Sequence, residues 1–184
     1  KWNLEIALIA DGVSSKDVYK TLRTPEGVER AFKKLDSVKA DLVFWKSGAQ
    51  PPQMLAAGDV VMTTAYNGRI SAANDKDKKN FKIVWKDTPY TMDSFVIMKG
   101  TPNKANAEKF LEFAGRAENQ AKLPKYVLYG VTNGAAYPLI DKALRADLPT
   151  NPDNLNVAFP EDAKFWIDNG DKLAERWAKW SGTK

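Results

Sequence analysis

The stretch of residues 42–85 reads LVFWKSGAQPPQMLAAGDVVMTTAYNGRISAANDKDKKNFKIVW and decides the predicted fold. Its three apolar runs, Leu42–Trp45, Val60–Thr64 and Phe81–Trp85, have the length and the β-branched or aromatic content of buried strands. Helical patterns separate these runs. Alternation of strand and helix predicts an α/β lobe with a mostly parallel sheet flanked by helices.

Local signals predict where the helices begin and end. Gly58 closes the helix between the first two predicted strands, and Gly12 ends the first helix of the chain, because glycine readily takes the left-handed conformation of a C-terminal cap. Thr24 is expected to cap a helix that has Pro25 at its first position. The apolar stripe of that helix consists of Val28, Ala31, Phe32 and Leu35.

Beyond residue 85 the pattern changes. Residues 87–93 form an extended segment suited to a crossing between two lobes, and Ser94–Met98 is predicted as a further strand. A helix is expected after Pro102, another over about residues 118–126, and a last amphipathic helix carries Phe165, Trp166 and Leu173. The sequence contains no internal repeat.

Two loops follow the carboxyl ends of predicted parallel strands. In open α/β sheets, ligands bind in the crevice beyond those strand ends. The loops carry two aromatic rings, amide groups and a guanidinium, which suit a small-molecule cleft. The candidate ligand residues in them are Trp45, Ser47, Gln50, Tyr66, Asn67 and Arg69.

The composition excludes several kinds of function. The chain lacks cysteine and histidine, which excludes disulfides, thiolate catalysis, a Ser-His-Asp triad and imidazole-based zinc sites. The net charge of +5 is scattered, and the densest basic run, residues 75–79, is interrupted by acids, so we predict a solvated turn and no nucleic-acid partner. No metal or cofactor is predicted.

Several ordered motifs resemble a known family. Gly48–Met62 with the Tyr66-Asn67-Gly68-Arg69 turn, the segment Asp93–Ile97, the turn Gly100–Lys104 and the Tyr129–Asn133 loop are similar to the periplasmic solute-binding proteins of polyamine-type ABC importers. The resemblance covers nearly the whole chain but only about the C-terminal half of such a receptor. Because the chain opens in the middle of a helical pattern, we predict that it begins inside a larger protein.

The resemblance implies a receptor with two lobes, a ligand cleft and hinge strands. Residues 1–90 and 135–184 would form the C-terminal lobe, and residues 91–134 would form the hinge and a segment of an N-terminal lobe whose remainder is absent. Such a segment lacks its sheet partners, and a domain-swapped dimer of the fragment is one way to supply them. The resemblance also implies a periplasmic location and delivery of ligand to a membrane permease.

Family roles fall on particular residues. Asp93 stands where the family has a carboxylate that pairs with a ligand ammonium, and Tyr66 stands where an aromatic ring stacks on the ligand. Trp45 would supply a second wall. Trp2 stands near an acidic ligand position, and Arg69 and Thr91 replace a small residue and an aromatic ring, three departures that weaken the case for a polycation.

Two classes of ligand therefore remain open. The scaffold suggests a polyamine such as putrescine or spermidine, whereas Arg69 together with Asp93 suits a zwitterion such as 4-aminobutyrate. The alternative function is a hydrolase of the glycosidase type that uses carboxylates such as Asp87, Asp93 or Glu161, for which nothing in the sequence spacing argues. A binding protein that is not an enzyme is the leading prediction.

Overall fold

The computed structural model describes residues 2–182; Lys1, Thr183 and Lys184, which belong to the predicted C-terminal lobe, lie outside the described residues. The chain divides into two compact units. Unit 1 comprises Lys1–Leu42, Pro89–Thr91 and Phe159–Lys184, and unit 2 comprises Val43–Thr88 and Met92–Ala158. These boundaries differ from the predicted lobes, and the assignment of segments to lobes stays a prediction.

Unit 1 is mainly helical. Its helices are α1 (Asn3–Ala10), α2 (Val18–Leu22), α3 (Pro25–Asp36) and α10 (Ala163–Gly182). Single 3₁₀ turns occur at Ser15–Asp17 and Lys39–Asp41. Its core joins apolar side chains of all four helices, including Leu8, Val18, Phe32 and Phe165.

The boundaries of these helices follow the predicted signals. The Thr24 hydroxyl accepts the Gly27 N–H at 3.0 Å, which caps α3, and Pro25 occupies its first turn. Gly12 follows α1 with a φ of +89°, the left-handed conformation that favours glycine. A Cβ at Gly27 would lie 1.9 Å from the Thr21 carbonyl oxygen, so only glycine lets α2 and α3 approach this closely.

Unit 2 contains α4 (Gln50–Ala57), α5 (Asn67–Lys76), α6 (Lys104–Gly115), α7 (Ala117–Gln120), α8 (Lys142–Arg145) and α9 (Pro152–Val157). Two 3₁₀ segments lie at Leu123–Lys125 and Gly134–Leu139. The helix predicted over residues 118–126 is thus shorter, since Pro124 cannot continue it. A small core consists of Ala121, Val131, Ala136, Ile140 and Leu148.

The sheet is the main correction to the sequence analysis. Among the described residues it consists of one parallel pair in unit 1, β1 (Pro89–Tyr90) with β2 (Phe159–Pro160), in which Pro89 is opposite Phe159. The strands predicted at Leu42–Trp45, Val60–Thr64, Phe81–Trp85 and Ser94–Met98 are wrong for this structure. Apolar runs become strands only where a neighbouring chain takes their backbone hydrogen bonds. Here Val61 is 95% exposed and Val84 is 74% exposed.

Candidate ligand-binding site

The loop before α4 is organised by one side chain. Gln50, the first residue of α4, accepts the backbone N–H groups of Lys46 and Ser47 on its Oε1 atom at 2.6 and 2.9 Å. The Ser47 hydroxyl accepts the Ala49 N–H at 3.4 Å. Gln50 and Ser47 therefore shape the loop through their oxygens. Within residues 2–182, the Gln50 amide nitrogen makes no hydrogen bond and is available as a donor.

Two predicted aromatic residues meet beside this loop. The rings of Trp45 and Tyr66 pack edge to face with centroids 6.3 Å apart, and the Trp45 indole N–H donates to the Thr64 hydroxyl at 3.3 Å. A Cβ at Gly48 would lie 3.0 Å from Cδ2 of Tyr66, so the loop backbone lies directly against that ring. The structure thus brings together the loop, Trp45 and Tyr66, as the sequence predicted.

The first turn of α5 contacts residues 127–129, to which the sequence gave no ligand-binding role. The Asn67 side-chain amide donates to the Leu128 carbonyl. A Cβ at Gly68 would lie 2.7 Å from Cε1 of Tyr129 and 3.0 Å from Cγ2 of Val127, so the contact requires glycine. Tyr129 therefore lies beside α5. Gly68 was the sequence signal for a close contact. The sequence does not reveal which segment packs against such a glycine.

The Arg69 and Asp93 side chains are both exposed. Neither side chain makes a hydrogen bond or an ion pair with another residue of the described part of the chain. Arg69 lies in the first turn of α5, where the positive end of the helix dipole adds to its own charge. Asp93 lies three residues after β1 in sequence.

Trp2 belongs to unit 1, whereas the other candidate ligand residues belong to unit 2. It precedes α1 with a φ of 64°, and its indole N–H donates to Oε2 of Glu161 at 2.5 Å. The Glu161 backbone N–H in turn donates to the Tyr90 carbonyl at 2.8 Å, next to the β1–β2 pair. Glu161, a candidate acid of the hydrolase alternative, thus connects α1 to the strand pair.

A buried carboxylate in unit 1 was not found from the sequence. Glu5 on α1 is fully buried; its Oε1 atom accepts the Tyr19 hydroxyl at 3.0 Å and the Trp166 indole N–H at 2.9 Å. Its Oε2 atom is buried without a hydrogen-bond partner. Burial raises the pKa of Glu5, and burial together with the Glu5 charge raises the pKa of Tyr19. A Glu within an apolar helix was the sequence signal.

The described residues contain no group of three or more acidic side chains placed to hold a metal ion. In the same part of the chain, none of the helices combines the length and apolar character that a membrane crossing requires. The arrangement around α4 and α5 offers aromatic faces, amide donors and a guanidinium, which are groups of the kind that line small-molecule sites.

Residues 2–164 match the family of bacterial extracellular solute-binding proteins, and the chain belongs to that family. Proteins of this family bind solutes and are not enzymes, as predicted. Membership also confirms the predicted periplasmic location. The prediction of the polyamine type is confirmed only at the level of this broader family.

The matched relatives are longer than this chain. The gamma-aminobutyric acid-binding protein of Pseudomonas aeruginosa is 48% identical over 181 residues, which are 98% of this chain and 51% of that protein. The chain therefore spans about half the length of that relative.

Solved structures confirm the predicted fold class of a periplasmic-binding-protein lobe. The Atu4243-GABA receptor aligns with a TM-score of 0.82 at 30% identity, over 99% of this chain and 54% of the receptor. The protein MotA of A. tumefaciens B6, solved in complex with glucopine, aligns with a TM-score of 0.83 at 29% identity, over 97% of this chain and 56% of MotA.

Proposed function

We propose that this chain is part of an ABC-importer receptor that captures a small zwitterionic amino acid, with 4-aminobutyrate as the first candidate. The observation that carries the proposal is Arg69, an exposed guanidinium without a side-chain partner among residues 2–182, three residues after Tyr66, whose ring packs on Trp45. A guanidinium binds a carboxylate through two parallel hydrogen bonds. Gamma-aminobutyric acid, which carries a carboxylate and an ammonium, is the ligand named for two of the relatives.

In this proposal the two ends of the ligand have different partners. Arg69 binds the carboxylate, and Asp93 pairs with the ammonium. Tyr66 and Trp45 contact the methylene groups between them, and Ser47, Gln50 and Asn67 contribute polar groups around the ligand. Charge pairing at both ends fixes the orientation of the ligand and selects against molecules with one kind of charge.

The polyamine reading of the family is the less favoured one for this chain. A polycation carries only ammonium groups, and the exposed Arg69 guanidinium repels each of them. Thr91 cannot stack on a methylene chain as an aromatic ring does. Both residues therefore support a zwitterionic ligand on a scaffold that resembles polyamine receptors.

The lobes of the receptor are also part of the proposal. Residues 1–90 with 135–184 form one lobe, and residues 91–134 form the hinge and part of the other lobe. Ligand contacts from both lobes favour the closed state, which delivers the ligand to the membrane permease. Because much of the cleft then comes from sequence outside this chain, the chain alone binds 4-aminobutyrate weakly or not at all.

The test uses a completed receptor, defined as this chain joined to the part of the Pseudomonas aeruginosa relative that lies outside the match. Isothermal titration with 4-aminobutyrate should show that Arg69→Met and Asp93→Asn each weaken binding by at least tenfold, about 1.4 kcal/mol. Lys99→Met and Asp59→Asn remove the same charges from exposed positions of unit 2 and serve as matched controls.

Three outcomes contradict the proposal. Unchanged affinity in the Arg69 and Asp93 variants would remove these residues from the site. Equal losses of affinity in Lys99→Met and Asp59→Asn would show that the effect comes from net charge alone. Tight binding of 4-aminobutyrate by this chain alone would show that the cleft is complete without further sequence.

A further inference from the structure

A cleft in unit 1 is formed by residues at the ends of α1 and α3, none of which is a candidate residue of the amino-acid site. Its volume is about 380 Å³. The lining is mostly cationic and consists of Asp11, Arg30, Lys33, Lys34 and Ser37. Since a water molecule takes up about 30 Å³ of the liquid, the cleft has room for a small ion with part of its hydration shell. We call it the basic cleft.

The sequence of α3 places the positive side chains on one face of the helix. Arg30 precedes Lys33 by three residues and Lys34 by four, and Ser37 follows Lys33 by four residues. Residues at these spacings are neighbours on a helix surface, and like charges so placed repel one another. A bound anion between them relieves that repulsion.

Arg30 is held in a fixed orientation at the cleft. Its Nε atom donates to Oδ2 of Asp11 at 2.6 Å, and Nη2 donates to the Asp11 backbone carbonyl at 2.7 Å. Within residues 2–182, Nη1 makes no hydrogen bond, so its N–H groups are available to a ligand. A guanidinium already fixed in this way loses little conformational freedom when it binds an oxyanion.

The two lysines of the cleft have no ion-pair partner. Neither ammonium group makes a hydrogen bond or an ion pair in the part of the chain that the structure describes. Two acids of α3 are engaged by α10 instead. Glu29 pairs with Arg176 at 2.6 Å, and Asp36 accepts the indole N–H of Trp180 at 2.7 Å. Asp11 alone balances one of the three positive charges, which leaves the basic cleft with a net charge of +2.

The ionisation of Asp11 reports the same positive surroundings. The hydrogen bond from Arg30 lowers the pKa of Asp11, and the charges of Lys34 and Lys33 lower it further. Surroundings that favour one anion in this way also attract another, because Asp11 leaves most of the positive charge unbalanced.

We propose that the basic cleft binds a phosphate dianion, either free or as the terminal phosphate of a lipid. A phosphate of this kind carries nearly two negative charges at pH 7 and several strong acceptor oxygens. These match the net charge of the cleft and the N–H donors of Arg30, Lys33 and Lys34. A carboxylate carries only one charge and matches the cleft less well. The inference does not rest on the proposed capture of an amino acid.

Titration of the 184-residue chain with sodium phosphate, at constant ionic strength and followed by NMR of the backbone amides, tests the site. The amide signals of Arg30, Lys33, Lys34 and Ser37 should shift together and reach saturation. Lys33→Met and Lys34→Met should each weaken phosphate binding at least about threefold, because each removes one exposed positive charge from the cleft. Lys20→Met removes the same charge from an exposed position of α2 and is the matched control.

Vesicles of phosphatidylcholine, with and without phosphatidic acid, distinguish the two sources of phosphate. If a lipid is the ligand, the chain should sediment with the vesicles that contain phosphatidic acid, and Lys33→Met with Lys34→Met should lower the bound fraction more than Lys20→Met does. If free phosphate is the ligand, phosphate should bind while the vesicles leave the chain in solution. Circular dichroism should be the same for all variants, since neither lysine of the cleft is buried.

Three results overturn the proposal. The first is acetate that shifts the same amide signals with the affinity of phosphate, which would make the cleft a site for carboxylates, including acidic side chains of a protein. The second is an equal loss of binding in Lys20→Met, which would attribute the effect to diffuse charge. The third is the absence of both a saturable shift with phosphate and binding to vesicles that contain phosphatidic acid.

Discussion

At the scale of single residues, the charged side chains lie in different environments. The Arg69 and Asp93 side chains are exposed and have no protein partner in the described residues, so both are available to bind a charged ligand. Glu5 is fully buried, and its carboxylate accepts hydrogen bonds from the neutral Tyr19 and Trp166 side chains. Burial opposes ionisation of this carboxyl group and raises its pKa, so Glu5 makes the stability of unit 1 depend on pH.

We predict the sign of that dependence. The pKa of Glu5 is raised in the folded state, so the folded protein binds more protons than the unfolded chain in the interval above the ordinary pKa of 4.5. The free energy of unfolding should therefore fall as pH rises through that interval. Glu5→Gln removes the charge and keeps an oxygen for Tyr19 and Trp166, and should raise the free energy of unfolding at pH 7 by about 1 kcal/mol.

Urea denaturation of this chain at pH 4 to 8 measures the effect, and Glu29→Gln is the control with the opposite sign. The side-chain hydrogen bond from Arg176 lowers the pKa of Glu29, so the contribution of Glu29 is present above its unfolded pKa and lost as pH falls. A Glu5→Gln variant whose stability changes with pH as the wild type does would contradict the role given to Glu5.

At the scale of elements, helix ends were predictable and strands were not. Thr24, Gly12 and Gly58 act where the sequence placed them, because caps depend on a few adjacent residues. The run Val60–Thr64 has strand composition, but pairing depends on distant chain that composition does not reveal. The sequence predicted that Trp45 and Tyr66 lie together, because both follow the ends of predicted strands. It did not predict the packing of Tyr129 on Gly68, which joins segments that are distant in sequence.

The contact between α5 and residues 127–129 can be tested through Gly68. A Cβ at this position would lie 2.7 Å from the Tyr129 ring, so Gly68→Ala should push that segment away from the first turn of α5. Gly115→Ala in α6 adds a methyl group where nothing lies within 4 Å and is the matched control. Thermal unfolding should find Gly68→Ala less stable than Gly115→Ala by about 1–3 kcal/mol. Equal stabilities would show that Tyr129 moves away without cost.

At the scale of the whole molecule, the chain corresponds to about half of its matched relatives and has the fold class of a periplasmic-binding-protein lobe. The sequence predicted this class because its motifs occur in order along nearly the whole chain. It did not predict the extent of uncovered apolar surface, since exposure depends on the segments that pack against each strand. The proposed half cleft leads to one expectation: ligand binding requires the completed receptor.

The ligand preference of the completed receptor tests the central claim most directly. Isothermal titration at pH 7 should compare 4-aminobutyrate, putrescine and spermidine under identical salt conditions. Because Arg69 attracts a carboxylate and repels an ammonium, 4-aminobutyrate should bind at least tenfold more tightly than either polyamine, a difference of about 1.4 kcal/mol. Tighter binding of putrescine or spermidine would contradict the zwitterion site and return the chain to the polyamine class.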